Sequence, residues 1–324
     1  MRLRMSAMTA LAVAVAVALP AVAPGQTPKA GGVLNVMQRE ELPQGLSIHE
    51  TSTIATVWPA SPCFNNLVYF DPMKPAEAMD TIVSELAEKW SWQDGYRNLV
   101  FFLRKGVKWH DGQPFTSRDV KFTFDIVREA PEAQAKLRLN PRKDWYSNIE
   151  AIEAADAYTV VFRLKRPQPS ILMMLASGQS PVYPAHVPLA DQRNRCVGTG
   201  PFKFTEWRRG EFVEYVKSPD SSVKGRPYLD GLKYVIISER GTRTAALQAG
   251  RLDTSAPGET TKNIADQLKA AIPQMVITRV GSLTSPNLLV NHTRAPFSDA
   301  RVRRAVDLAI DRDGYIKGVL QGSG

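Results

Sequence analysis

The sequence predicts an α/β or α+β chain built on mixed sheets, and three observations carry that prediction. Short apolar runs bounded by Gly, Pro and Asp alternate irregularly with stretches of helical periodicity. The 324 residues are 44% apolar and 8% aromatic, enough for about two domains, each able to bury a core. No internal repeat, heptad run or low-complexity block breaks the pattern, and the spread of 21 Gly and 23 Pro excludes collagen-like character.

Arg2 and Arg4 are followed by no charge until Lys29, Ala10–Leu19 is an unbroken Ala/Val/Leu run, and Ala21-Val22-Ala23 is a small-x-small site. That is the pattern of a secretory signal peptide over residues 1–23. A retained anchor over Met5–Val22 is the competing reading, weakened by Pro20 and by the many weakly apolar alanines. Pro24 after Ala23 leaves the cleavage position open. Removal of residues 1–23 lowers the net charge from +9 to +7, with 39 basic against 32 acidic residues. No cysteine lies near the cleavage site, so a freely soluble, periplasmic product of Gram-negative type is expected. In an oxidising compartment Cys63 and Cys196 form either a bridge or two separate buried thiols, and sequence leaves both open.

After a flexible stretch from Pro24 to Ala30, Gly31-Gly32 introduce the strand Val33–Met37. An apolar segment ends over Asn66–Phe70, where Asp71-Pro72 turns the chain. Leu99–Leu103 is a second strand, and Trp109–Phe115 is a turn-rich loop. Thr116 with Asp119 three residues on is a capping box with Asp in the Glu position. The helix it opens carries Val120, Phe124 and Val127 on one face. Tyr158–Leu164 alternates, with Val160, Phe162 and Leu164 inward, and Pro167 and Pro169 end it. Ser170 is expected to cap the helix Ile171–Ala176. Gly198-Thr199-Gly200-Pro201 leads into a strand from Phe202, which Arg208–Glu211 turns into Phe212–Val216 as a hairpin. Tyr234–Ile237 is a strand, Thr242–Leu247 a short helix closed near Gly250, and Thr260–Ala271 a helix. Val276–Val280 and Leu288–Asn291 are expected as strands, and Ser298 as the cap of a long final helix.

Catalytic and nucleotide motifs are absent from the sequence. There is no phosphate loop, no Gly-x-Gly-x-x-Gly, no Gly-x-Ser-x-Gly elbow and no His-Glu-x-x-His pair. Two cysteines and four scattered histidines (His49, His110, His186, His292) supply no metal-ligand cluster. His110-Asp111 sits before a helix cap, where Asp111 is expected to order the turn rather than serve a triad. The basic groups Arg142-Lys143, Arg208-Arg209 and Arg301/Arg303/Arg304 form no stripe with interleaved aromatics, so a nucleic-acid groove is not indicated. The residues alone point to an exported binding protein of at least two lobes, without cofactor or metal, rather than an enzyme.

Several blocks, in order over residues 31–324, resemble the extracellular solute-binding proteins of family 5, the oligopeptide, dipeptide and nickel class of ABC importers. They are Gly31-Gly32-Val33-Leu34-Asn35-Val36, Leu86-Ala87-Glu88-Lys89-Trp90 with Phe101–Gly112, and Pro114–Val120. Gly198-Thr199-Gly200-Pro201-Phe202, Ala246–Asp253 and Asp299–Ala305 complete the set. One departure is Ser221-Ser222 after Pro219-Asp220, where members carry an aromatic pair.

The resemblance implies a class II periplasmic-binding-protein-like clamp of two lobes that closes on its ligand, a venus-flytrap. It implies lobe one over 31–75 and 190–285, an inserted subdomain over 76–189, and the crossover and start of lobe two over 286–324. Members are much longer, so the second lobe is expected to be largely missing, as a fragment or a truncated product. A chain of this extent should hold ligand weakly and expose the apolar face around its final helix. The implied partners are a peptide or other small solute (nickel, opine and sugar remain open) and the permease subunits in the inner membrane. The full-length protein is expected to be a monomer. An extended ligand in peptide-binding relatives adds to a segment after the first strand. Its place here is Thr51-Ser52-Thr53-Ile54. The acidic partner of a peptide amino terminus lies on the second lobe in relatives, so no residue here takes that role. The alternatives weighed are an exported hydrolase with its catalytic residues further along and a basic nucleic-acid binder.

Overall fold

A computed structural model describes residues 28–256, 258–278 and 287–322. The signal peptide expected over residues 1–23 lies outside the described residues, as do Arg279, Val280 and Pro286. The chain runs through β1 (Val33–Gln38), α1 (Ile54–Ala60), β2 (Val68–Phe70), β3 (Ile82–Ser84), β4 (Ala87–Gln93) and β5 (Asn98–Leu103). Then come α2 (Ser117–Val127), β6 (Ile149–Asp156), β7 (Thr159–Leu164), α3 (Ile171–Ala176) and α4 (Leu189–Gln192). The hairpin β8 (Phe202–Arg208) and β9 (Phe212–Lys217) follows, then β10 (Gly231–Ile236), α5 (Arg240–Gln248), α6 (Lys262–Ala271), α7 (Ala300–Ala309) and α8 (Arg312–Gly318).

The first sheet has the order β1-β10-β9-β8, with β1 and β10 parallel from Val33↔Gly231 to Gln38↔Ile236 and the other pairs antiparallel. Thr254 bridges to Val36 on the far side of β1, and its carbonyl accepts from the Met37 amide at 3.0 Å, so that strand is not left as an open edge. A second four-stranded sheet, β4-β5-β7-β6, is wholly antiparallel and comes from residues lying in sequence between β1 and β8. One mixed sheet and one antiparallel sheet, with helices packed against them and a short β2-β3 ribbon beside, are thus the architecture.

Helix α2 covers the second sheet because its stripe is apolar. Val120, Phe124 and Val127 are buried, and the Phe124 ring meets Phe162 of β7 edge-on at 5.2 Å. Its start is the expected capping box, with the Thr116 amide donating to Asp119 Oδ2 at 2.9 Å. One apolar cluster runs from Val36 of the first sheet to Phe162 of the second, and a smaller one seats Leu247 of α5 and Leu268 of α6 beside Met37.

The turn Gly198-Thr199-Gly200 lies directly on the backbone of residues 61–63. A Cβ on Gly198 would meet the Cys63 carbonyl oxygen at 1.7 Å, so only glycine allows this approach. The Gly200 amide donates to that carbonyl at 2.9 Å. His110 takes the Gly198 amide on Nδ1 at 3.3 Å and contacts the Gly200 carbonyl through Nε2 at 2.9 Å. Cys63 and Cys196 are joined in a disulfide with Cα atoms 6.4 Å apart. Asp111 orders its turn by accepting from the Gln113 amide at 3.2 Å, and its other oxygen holds His186 Nε2 at 2.7 Å.

Several local expectations are corrected. Ser170 has helical backbone and its hydroxyl accepts no capping bond, so α3 begins without a side-chain cap. Asp299, not Ser298, caps α7, because its backbone is extended and its carboxylate accepts the Arg301 amide at 2.8 Å. The long final helix is two helices: Ile310 turns extended, and Asp311 caps α8 through the Gly314 amide at 2.8 Å. The strands expected at Val276–Val280 and Leu288–Asn291 do not form over residues 276–278 and 288–291. Among the described residues those apolar runs find no ladder partner, and Leu289 is 91% exposed. No described helix is long and apolar enough to cross a membrane.

Candidate functional site

In an open sheet with parallel strands, ligands gather where the carboxyl ends of those strands leave backbone groups free. Here that place is the end of β1 and β10. Gln38 is buried and donates its amide to the carbonyls of Glu40 (2.9 Å) and Ala55 (2.8 Å), fixing α1 against the end of β1. Arg39 Nη1 pairs with Glu259 at 3.1 Å, and Arg243 closes on the same carboxylate at 2.7 Å. Arg243 also donates to the carbonyls of Ile237 and Ser238, the first residues past β10. Burial works to raise the Glu259 carboxyl, yet its bonds to Arg39 and Arg243 hold it below the usual carboxylate range.

The segment 51–54 lies beside this network. Thr51 and Thr53 are extended, with φ/ψ of −134°/154° and −92°/140°. Thr51 is buried, and its hydroxyl accepts the Thr53 amide at 3.1 Å. Thr53 caps α1 by accepting the Ala55 amide at 3.2 Å. Ser52 and Ile54 are exposed. Among the described residues neither the amide nor the carbonyl of Ser52 has a hydrogen-bond partner, and the Ile54 amide has none. Alternate residues of an extended chain direct their backbone groups to one side, so these three groups form an open edge. Ile54 also lines a shallow depression with Gln38, Arg39, Ala55, Trp58 and Ala256, where the buried Trp58 indole N–H has no partner.

The root of the segment is gripped by Arg138, Arg142 and Arg193, residues far from it along the chain. Arg142 is 3% exposed and donates to the Ile48 and Thr51 carbonyls and, at 2.9 Å, to Gln179 Oε1. Burial lowers its guanidinium below the ordinary arginine value. Glu50 is buried and held by both prongs of Arg193, at 2.6 and 2.7 Å, and by the Arg138 amide at 2.6 Å. Burial opposes ionisation of Glu50, and those donors outweigh it, so its carboxyl sits below the usual range. His49 contacts the Pro181 carbonyl at 2.7 Å through Nε2; because a carbonyl only accepts, that nitrogen carries the proton. Burial first, and then Arg142, push its pKa down to about 3.

Of the four residues expected to bind ligand, Ser52 and Ile54 therefore present groups outward, while Thr51 and Thr53 shape the backbone. The grip of Arg142, Glu50 and Arg193 is not legible in sequence. Arg142-Lys143 reads as one more solvated basic pair, and only the fold shows that Arg142 turns inward. No group of three or more His, Cys, Asp or Glu with metal-binding geometry occurs among the described residues.

A family model described as bacterial extracellular solute-binding proteins, family 5 Middle, matches residues 81–324. The chain is 30% identical over 275 residues to the oligopeptide-binding protein AppA of Bacillus subtilis (strain 168), covering 82% of this chain and 48% of that one. Among solved structures it is similar to MoaA from A. tumefaciens R10 in complex with mannopinic acid, with a TM-score of 0.76 and 26% identity over 90% of this chain and 57% of that one. AppA from B. subtilis in complex with a nonapeptide gives a TM-score of 0.73 and 26% identity over 91% and 57%. The chain spans about half the length of the curated relatives it matches.

Proposed function

This chain belongs to the bacterial extracellular solute-binding proteins of family 5, and from that premise we propose that it is the first-lobe part of the substrate-binding component of an ABC importer, with a peptide-like solute as ligand. The observation that carries the reading is the open backbone edge at Ser52 and Ile54, rooted on buried charge and placed at the carboxyl ends of parallel strands. An extended peptide satisfies such an edge by adding as a strand, its amide and carbonyl pairing with those of Ser52. Ile54 and the floor of Trp58 and Ala256 then meet an apolar side chain of the ligand.

In this reading residues 1–23 direct export to a periplasm of Gram-negative type, where the Cys63–Cys196 bridge is maintained. Residues 31–75 and 190–285 form lobe one, 76–189 its inserted subdomain, and 286–324 the crossover and start of a second lobe. Closure of that second lobe buries the ligand in venus-flytrap fashion, and the closed monomer is what the permease subunits accept. The relatives named above are binding proteins, and the exported-hydrolase alternative draws no support from them.

Calorimetric titration of the full-length mature protein with mixtures of short peptides tests the proposal. Ser52→Pro removes the edge amide and should weaken binding by about tenfold, the worth of one hydrogen bond to a buried partner, while Ser52→Ala keeps the edge and the affinity. No heat with any peptide would overturn the assignment of ligand class. Equal loss in both variants would show that the hydroxyl, not the backbone, makes the contact.

A further inference from the structure

A second concavity lies away from the strand ends, between residues 61–70, the β2–β3 region and the end of α3. It measures about 240 Å³ and is lined by Phe64, Tyr69 and Phe70, by the carboxylates Glu77 and Glu85, and by small residues including Gly178. A water's share of liquid volume is about 30 Å³, so the space holds several waters or one compact organic molecule. We propose that this cavity is a binding site for a small organic cation, a primary alkylammonium, with Glu85 as the counter-charge and the aromatic walls around its carbon chain.

The carboxylate is aimed by the protein before any ligand arrives. Glu85 Oε1 accepts from Asn65 Nδ2 at 2.5 Å and Oε2 from the Asn66 amide at 2.6 Å, which leaves lone pairs on both oxygens. Asn65 and Asn66 are themselves tied down, by the Thr199 hydroxyl at 3.0 Å and the Ser177 carbonyl at 2.6 Å. Glu85 makes no ion pair among the described residues. Its nearest cationic influence, Arg104, donates Nε to the Glu85 backbone carbonyl at 2.5 Å. An enclosed carboxylate without a cation is costly, and desolvation accordingly pushes the Glu85 carboxyl up to about 7. The neighbouring Tyr69 hydroxyl is raised as well, by burial and then by the Glu85 charge. An ammonium placed here regains Coulomb energy in a poorly solvated site, and aromatic faces attract cations further. Exposed Glu77 at the rim adds a second negative charge to the approach.

The inference is independent of the ligand edge at Ser52, because these residues are not those of the strand ends. Titration with n-butylammonium chloride at about pH 8, where a carboxyl of this kind is ionised, is read by amide chemical shifts. Saturating shifts at Asn65 and Asn66, with none from n-butanol or sodium chloride, are expected. Glu85→Gln keeps an oxygen to accept the Asn66 amide and should weaken binding at least about tenfold. Gly178→Leu keeps the carboxylate but fills the cavity; a Cβ there meets nothing within 4 Å, so the variant should fold and lose the shifts. Absence of shifts up to roughly 10 mM, or unchanged affinity in either variant, overturns the proposal.

Discussion

Two side chains, one buried and one half-buried, oppose each other on the pH axis. His49 has an ordinary value of 6.5 and falls to about 3 in the fold. Between those values the unfolded chain binds a proton that the folded one refuses, so stability is lost as the pH drops through that window. Glu85 goes the other way, from 4.5 to about 7. There the folded chain keeps a proton that the unfolded one releases, so its contribution is present in acid and lost as pH rises from 4.5 to 7. The ceilings are about 5 kcal/mol for His49 and about 3 kcal/mol for Glu85, at 1.4 kcal/mol per unit. Glu85→Gln should therefore be more stable than wild type above neutrality, equal to it in acid, and steeper in its loss from near-neutral pH downward. Urea denaturation across pH measures this, and superimposable profiles would refute it. Arg142 carries a second prediction. Arg142→Met strands the Ile48 and Thr51 carbonyls and the Gln179 side chain, costing about 3–5 kcal/mol. Arg142→Lys recovers only part, since one ammonium lacks the planar fork that reaches all three. A loss below about 0.5 kcal/mol for Met in urea denaturation would show the guanidinium to be idle. None of these three roles was legible in sequence, where a charged residue looks the same whether it faces solvent or carbonyls.

Elements were legible where the local chemistry is self-contained. The box at Thr116 and Asp119 and the stripe of α2 need only residues near one another, and both formed. Asp in the Glu position has a tertiary reason that sequence did not disclose: Asp119 Oδ1 also accepts the Ala185 amide at 2.9 Å. Asp119→Ala should accordingly cost about 2–3 kcal/mol, two orphaned amides, against about 1 kcal/mol for Thr116→Ala. Thermal unfolding of the pair would sink the idea if Thr116→Ala proved the worse. The strands expected near Val276 and Leu288 failed for the opposite reason. Their apolar residues satisfy a strand pattern, but a strand exists only through a partner, and that information is not local. Ser298 lost the cap of α7 to Asp299 because the neighbouring backbone, not the side-chain type alone, decides which residue is extended.

At the scale of the molecule the family and the mixed-sheet fold were legible because motif order survives where individual contacts do not. The candidate edge at Ser52 and Ile54 was placed by its distance from Cys63-Phe64-Asn65-Asn66-Leu67, whereas the buried charge beneath it had no such marker. Long-range closure is the property the sequence states least clearly. The Cys63–Cys196 bridge spans 133 residues, and the whole second sheet lies inside that loop. Closing so long a loop removes much of the unfolded chain's freedom, worth about 3–5 kcal/mol in the chain-entropy picture. The bridge also lies where Gly198 and Gly200 rest on the Cys63 backbone and His110 ties both glycines. Reduction should therefore cost global stability while leaving the packed turn in place, because four hydrogen bonds and the glycine contact hold it without sulfur. The expected result is a lower urea midpoint for Cys63→Ala/Cys196→Ala, with the Gly198 and Gly200 amides still protected from hydrogen exchange. Loss of protection at those amides under native conditions would mean that the bridge, rather than the turn's own contacts, holds Gly198 and Gly200 against the Cys63 backbone.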